Sequence, residues 1–194
     1  LVKFDILGIR NLSILGAARD IIESTRDVKI DLGKLPIKDK KVFDMLARGE
    51  TMGVFQLAGS GMTKWLRELK PHRIEDIMIM IALFRPGPME SIPEYIRRKH
   101  NPRLVNYLDS RLQPILEKNF GILVYQDDVL EIAISLAGYS WEEADKLRKA
   151  MGKKIPEEMA QQKVKLIDGF VEHGLGKAQA KELWKLIEPF AAYG

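Results

Sequence analysis

The chain contains no cysteine. That excludes disulfides and thiolate metal sites and fits a reducing, cytoplasmic compartment. It has only three histidines, His72, His100 and His173, too far apart in sequence for a local metal pair. Aromatic residues are 8% of the total. The three tryptophans, Trp65, Trp141 and Trp184, fall within or at the start of amphipathic stretches, so they are expected in the core and not as platforms for stacked bases. No apolar run is long enough to span a bilayer, and no signal peptide is visible, so no membrane partner is expected. Internal repeats and low-complexity linkers are also lacking. The first residue is Leu1, not Met, and the last is Gly194. Both ends read as cut from something longer.

What is present suits a packed fold. The 194 residues are 46% hydrophobic and 30% charged, which implies a folded core and argues against disorder. That length is one large domain or a piece of a larger protein. The formal net charge of +4 and the pI near 9.2 are compatible with an anionic partner.

Periodicity predicts a mainly α fold. Leu1 to Ile6 alternates as a short strand, with Val2 and Phe4 on one face and Lys3 and Asp5 on the other. Ser13 to Thr25 is helical, with Ile14, Ala17, Ala18, Ile21 and Ile22 in one apolar stripe. Lys38 to Arg48 is a short helix stopped by Gly49. Gly53 to Leu57 fits strand or helix equally. Met62 to Leu69 is a helix with Met62, Leu66 and Leu69 inward, ended before Pro71. Ile74 to Phe84 is apolar almost all round, so it is a buried helix. Ile92 to Lys99 is a short basic helix, and Gly121 to Tyr125 a brief apolar run. Val129, Ile132, Ala133 and Leu136 then keep helical spacing up to Gly138. Pro156 opens a further helix, and Ala180, Leu183, Trp184 and Ile187 line a last one.

The densest signal is Lys146 to Lys154, where Lys146, Arg148, Lys149, Lys153 and Lys154 crowd into nine residues without an acid. Ser140-Trp141-Glu142-Glu143 reads as a capping box that opens this helix. Gly152 is its expected stop. Leu147, Ala150 and Met151, at i, i+3 and i+4, form the inward face. A focused positive patch suits polyphosphate or a nucleic-acid backbone, while terminal cations that offset the helix dipole are the plainer explanation. Two other places have similar alternatives. Gly59-Ser60-Gly61 can cradle a phosphate with its amides or simply cap a helix with Ser60. Arg85, before Pro86-Gly87-Pro88, reads as a phosphate or template contact or as a loop arginine paired with a nearby acid. Asp127 and Asp128 follow Gln126 at a helix start, where acids stabilise the dipole.

A series of segments carries a resemblance. In order they are Val2 to Gly8, Gly53-Val54-Phe55-Gln56-Leu57, Ser60-Gly61-Met62, Ala82 to Met89, Arg98-Lys99-His100, Gly121 to Gln126, Ala144 to Lys154 and Phe190 to Gly194. Together they resemble the family of bacterial replicative DNA polymerase III alpha subunits, from the end of the palm domain through the fingers. The resemblance covers essentially the whole chain. It implies that residues 1–12 are the edge of the palm, a short strand remnant of its sheet. It implies that residues 13–194 are a helical fingers domain truncated at its C-terminal end.

Function follows as what the resemblance implies: a DNA-directed DNA polymerase, a nucleotidyltransferase of bacterial DNA replication. Its substrates would be primer–template DNA and deoxynucleoside triphosphates, its cofactor two Mg²⁺ ions, and its partners other replicase subunits. Asp5 matches the third palm aspartate, a catalytic residue and metal ligand. On the residues alone it is also readable as an edge-strand surface acid. Lys3 shares its face and is implied to sit by the triphosphate or primer end. Arg148 and Lys149 match the pair that grips the incoming triphosphate. The family has arginine at both places, and Lys149 keeps the charge without the bidentate fork. Ser60, Arg85, Lys153 and Lys154 are candidate phosphate or DNA contacts. The other two palm aspartates have no counterpart in this chain, so the chain by itself is expected to be inactive. The competing expectation is a non-enzymatic helical module that binds nucleic acid or an acidic partner through Lys146 to Lys154.

Overall fold

A computed structural model of the chain describes residues 4, 6–153 and 156–193, with side chains described through residue 189. Ten α-helices and several single 3-10 turns make up the regular structure, and no strand occurs among the described residues. The expected N-terminal strand falls largely outside them; Phe4 and Ile6 lie in irregular backbone. The mainly α class holds.

Two hydrophobic cores organise the molecule. The first is built by α2 (Lys40–Arg48), α3 (Ser60–Leu69), α4 (Ile74–Leu83) and α5 (Ile92–His100). Met62, Leu66 and Leu69 are its α3 contribution, as their spacing predicts. The second is built by α6 (Gln113–Leu116), α7 (Gln126–Ala137), α8 (Trp141–Lys153), α9 (Pro156–Glu172) and α10 (Lys177–Tyr193). Val129, Ile132, Ala133 and Leu136 of α7 are all fully buried there.

The run from Gly121 to Tyr125 lies between the cores. Ile122 and Val124 enter the first core and Leu123 the second. Successive residues of the run turn to different cores, so three residues serve both. The Asp128 carboxylate fixes this junction. Its Oδ2 accepts from the Val124 N–H (3.1 Å), the Tyr125 N–H (2.9 Å) and the Asn119 amide (3.0 Å). It is wholly buried. Dipole stabilisation, expected for the acids at this helix start, is thus only part of what Asp128 does.

Glycine sets two close approaches. Gly138 closes α7 at φ +70°, and a Cβ there would meet the His173 ring at 2.3 Å. A Cβ on Gly169 would sit 2.5 Å from the Ala137 carbonyl oxygen, so α7 and α9 touch backbone to backbone only because that residue is glycine.

Several expectations change. The stripe of Ile14, Ala17, Ala18, Ile21 and Ile22 does lie on a helix, α1 (Arg10–Arg26), but no residue of α1 is buried. An apolar stripe records amphipathicity and does not say which surface it meets. Gly53 to Leu57 is neither strand nor helix but a series of turns. Gly152 does not stop α8, which runs through it to Lys153. Trp184 is buried and Trp65 half-buried, but Trp141 is 74% exposed, because the first residue of α8 projects beyond the packed face.

Candidate functional site

The chemistry at α8 begins with its start. The capping box forms as the spacing predicts: the Glu143 N–H donates to Ser140 Oγ (3.2 Å), and the Ser140 N–H donates to Glu143 Oε2 (2.8 Å). Lys165 of α9 donates to Glu143 Oε1 at 2.6 Å. Those two hydrogen bonds, the one from Lys165 first, hold the Glu143 carboxyl down at about 2. It therefore stays ionised through the neutral range and ties α8 to α9.

Packing then fixes the helix rotation. Ala144, Leu147, Ala150 and Met151 are buried. Lys146, Arg148, Lys149 and Lys153 are left on the exposed side. The cations are not a bare cluster. Lys146 pairs with Glu142 at 3.0 Å. Arg148 donates to Asp145 Oδ1 from Nε (3.0 Å) and Nη2 (2.7 Å). Lys149 lies 2.7 Å from Asp145 Oδ2. One carboxylate thus holds both cations of the predicted triphosphate pair, one on each oxygen. The Lys149 and Arg148 hydrogen bonds pull the Asp145 carboxyl below its ordinary value. Arg148 is 45% exposed, so it is held by this ion pair and not by flanking the packed face. Asp145 was missed in the sequence. Its offsets of three and four residues from Arg148 and Lys149 are the signal for such pairing.

Ser60 opens α3 and Arg85 follows α4, both helices of the first core. Ser60 is the first residue of α3, whose N-cap is Gly59 with no side-chain hydrogen bond, so Ser60 is not the cap. At Gly61 a Cβ would meet the Phe84 ring at 3.0 Å, so the start of α3 packs closely against the end of α4. The Arg85 guanidinium donates from Nε to the Ala82 carbonyl (2.7 Å), and no carboxylate pairs with it among the described residues. These elements belong to the first core and α8 to the second. The candidate residues are thus divided between elements of the two cores. Lys3, Asp5 and Lys154 lie outside the described residues.

The basic helix α5 is committed to structure. Arg97 and Arg98 both donate to Glu94, whose carboxyl is held down at about 2, chiefly by Arg97. His100 bonds the Glu68 carbonyl, and Lys99 is buried. Among the described residues no three acidic or imidazole side chains converge as a metal cluster. The described residues do not by themselves fit a pair of Mg²⁺ ions. No helix among them is long and apolar enough to cross a membrane.

Comparison with known proteins bears on the whole chain. The family described as bacterial DNA polymerase III alpha subunit finger domain matches residues 11–174. Relatives called DNA polymerase III subunit alpha are 47% identical in Thermus aquaticus, 43% in Staphylococcus epidermidis and 44% in Halalkalibacterium halodurans. Each alignment takes in 100% of this chain but only 16%, 18% and 17% of the relative. The chain spans less than a fifth of these proteins' length. Matched over its full extent and mainly helical in its described part, the chain belongs to the bacterial DNA polymerase III alpha subunit family, of which it holds the finger domain.

Proposed function

We propose that this chain is the part of a template-directed DNA polymerase that receives the incoming deoxynucleoside triphosphate, with the exposed face of α8 as the grip. The observation that supports this reading is the geometry of Arg148 and Lys149. They leave the helix about 100° apart, on a segment whose opposite face is anchored in the second core. Two cations so placed can straddle a polyphosphate. A guanidinium offers paired donors to one phosphate, and an ammonium adds a compact charge on the next. Lys153, one turn further along the exposed side, extends the positive face toward template or nucleotide. Ser60 and Arg85 are proposed as phosphate or DNA contacts on elements of the first core.

In the reaction proposed for the full-length protein, the primer 3′-hydroxyl gives up its proton to water and its oxygen bonds to the α-phosphorus in line with the departing group. The bond from that phosphorus to the bridging oxygen breaks, and pyrophosphate leaves. Arg148 and Lys149 orient the β- and γ-phosphates and stabilise the charge that gathers on the leaving pyrophosphate. The proposal for the full-length enzyme also includes two Mg²⁺ ions, with Asp5 as one ligand. Primer–template and other replicase subunits are the remaining proposed partners.

Arg148→Ala in the full-length protein tests the grip. Catalytic efficiency for deoxynucleotide should fall about ten- to hundredfold, the effect of losing one charge-assisted contact. Primer–template affinity should change much less. Lost DNA affinity with an intact nucleotide dependence would make α8 a DNA-backbone site and contradict the proposal.

A further inference from the structure

Asp145 is the residue that sets the state of the grip. Its two carboxylate oxygens are divided between the two cations, Oδ1 to Arg148 and Oδ2 to Lys149. A phosphate would present its oxygens to the same donors. We infer that Asp145 is the grip's internal counter-anion: it holds Arg148 and Lys149 while no nucleotide is bound, yields them to the triphosphate, and takes them back as pyrophosphate leaves. This rests on the nucleotide reading of α8 and adds a positioning residue to it.

Three features support the exchange. Asp145 is 42% exposed and its partners 45% and 57%, so the ion pairs are open to water and to an entering anion. Exposed pairs three and four residues apart on a helix contribute little stability, so releasing them costs little. With Asp145 engaged, the three side chains sum to one positive charge (+1 +1 −1). With Asp145 displaced, both cations face the phosphates. Side chains on a helix lean toward its N-terminus, which places Arg148 and Lys149 over Asp145 and not over Lys153. The carboxylate is therefore both the resting partner of the cations and a like charge beside any phosphate they hold.

Asp145→Asn keeps the shape and removes the charge. In the full-length protein, the KM for deoxynucleotide and the inhibition constant for pyrophosphate should both fall, about three- to tenfold. That range corresponds to removing one screened like charge beside a polyphosphate. Asp145→Glu, which keeps the charge, should stay near the parent values. Helix content should be unchanged in both. Unchanged or weakened binding of nucleotide and pyrophosphate by Asp145→Asn would overturn the inference and leave Asp145 as a support of the helix. The same assay separates the two readings. A raised KM in Arg148→Ala with no response in Asp145→Asn sinks only the counter-anion. No response in either variant sinks the grip and the counter-anion together.

Discussion

Asp5→Asn in the full-length protein should lower primer extension by several orders of magnitude, on the order of what removing a metal ligand from a phosphoryl-transfer site costs. Asparagine retains the shape and one acceptor oxygen but not the charge with which the carboxylate would hold a metal ion. Stability should be unaffected, because among the described residues both cores are assembled from Phe43 onward. A melting curve that overlays the parent's, together with extension reduced at least a thousandfold, is the expected pair of results. Near-normal extension would remove Asp5 from the proposed site.

Asp76→Ala should produce the largest loss of stability. Asp76 is wholly buried in the first turn of α4. Its carboxylate accepts from the His72 N–H (3.1 Å), Arg73 Nε (3.1 Å) and the Tyr95 hydroxyl (3.3 Å), and Lys99 Nζ lies 3.4 Å away. Lys99 also donates to the Leu69 and Lys70 carbonyls at the end of α3 (2.9 and 3.0 Å). One acid thereby joins α3, α4 and α5. Removing it leaves a buried ammonium without its counter-charge, which costs roughly 3–5 kcal/mol. For a chain of this size that is a melting temperature lower by roughly 6–20 °C. The pH dependence follows from the carboxyl's depressed value. Burial pushes it up, but the His72 N–H, Arg73 and Lys99 outweigh burial and hold it below 3.8. Its stabilisation is complete above the ordinary aspartate value and lost as pH falls through the lower folded one. Acid unfolding below about pH 4 should therefore be steeper in the parent than in Asp76→Asn. Equal acid limbs would mean that Asp76 titrates normally.

Local pattern accounts for much of what the sequence revealed. The inward face of α8, the capping box at Ser140 and the stop at Gly138 each depend on residues within four positions of one another. The Asp76 cluster does not. Its partners at Leu69, Tyr95 and Lys99 come from two other helices, α3 and α5, and the long apolar segment around Asp76 draws attention away from its one buried acid. The split of Ile122 and Val124 from Leu123 was equally hidden, since a five-residue run does not show that a core lies on each side. The stripe of α1 was legible as a helix but not as a surface. At the candidate site, the cationic residues could be read directly; their anion, Asp145, was legible only in its offsets of three and four residues from Arg148 and Lys149, which the density of cations obscures. That Arg148 and Arg85 stand on elements of different cores follows from packing, on which sequence order is silent.

A deoxynucleotide carrying a photoreactive group on its terminal phosphate tests the central claim most directly. Irradiated with the full-length protein on primed template and then digested, it should leave its adducts on the peptide that spans Lys146 to Lys153, and unlabelled deoxynucleotide should suppress them. Adducts confined to peptides holding Ser60 or Arg85, with α8 unlabelled, would contradict the account.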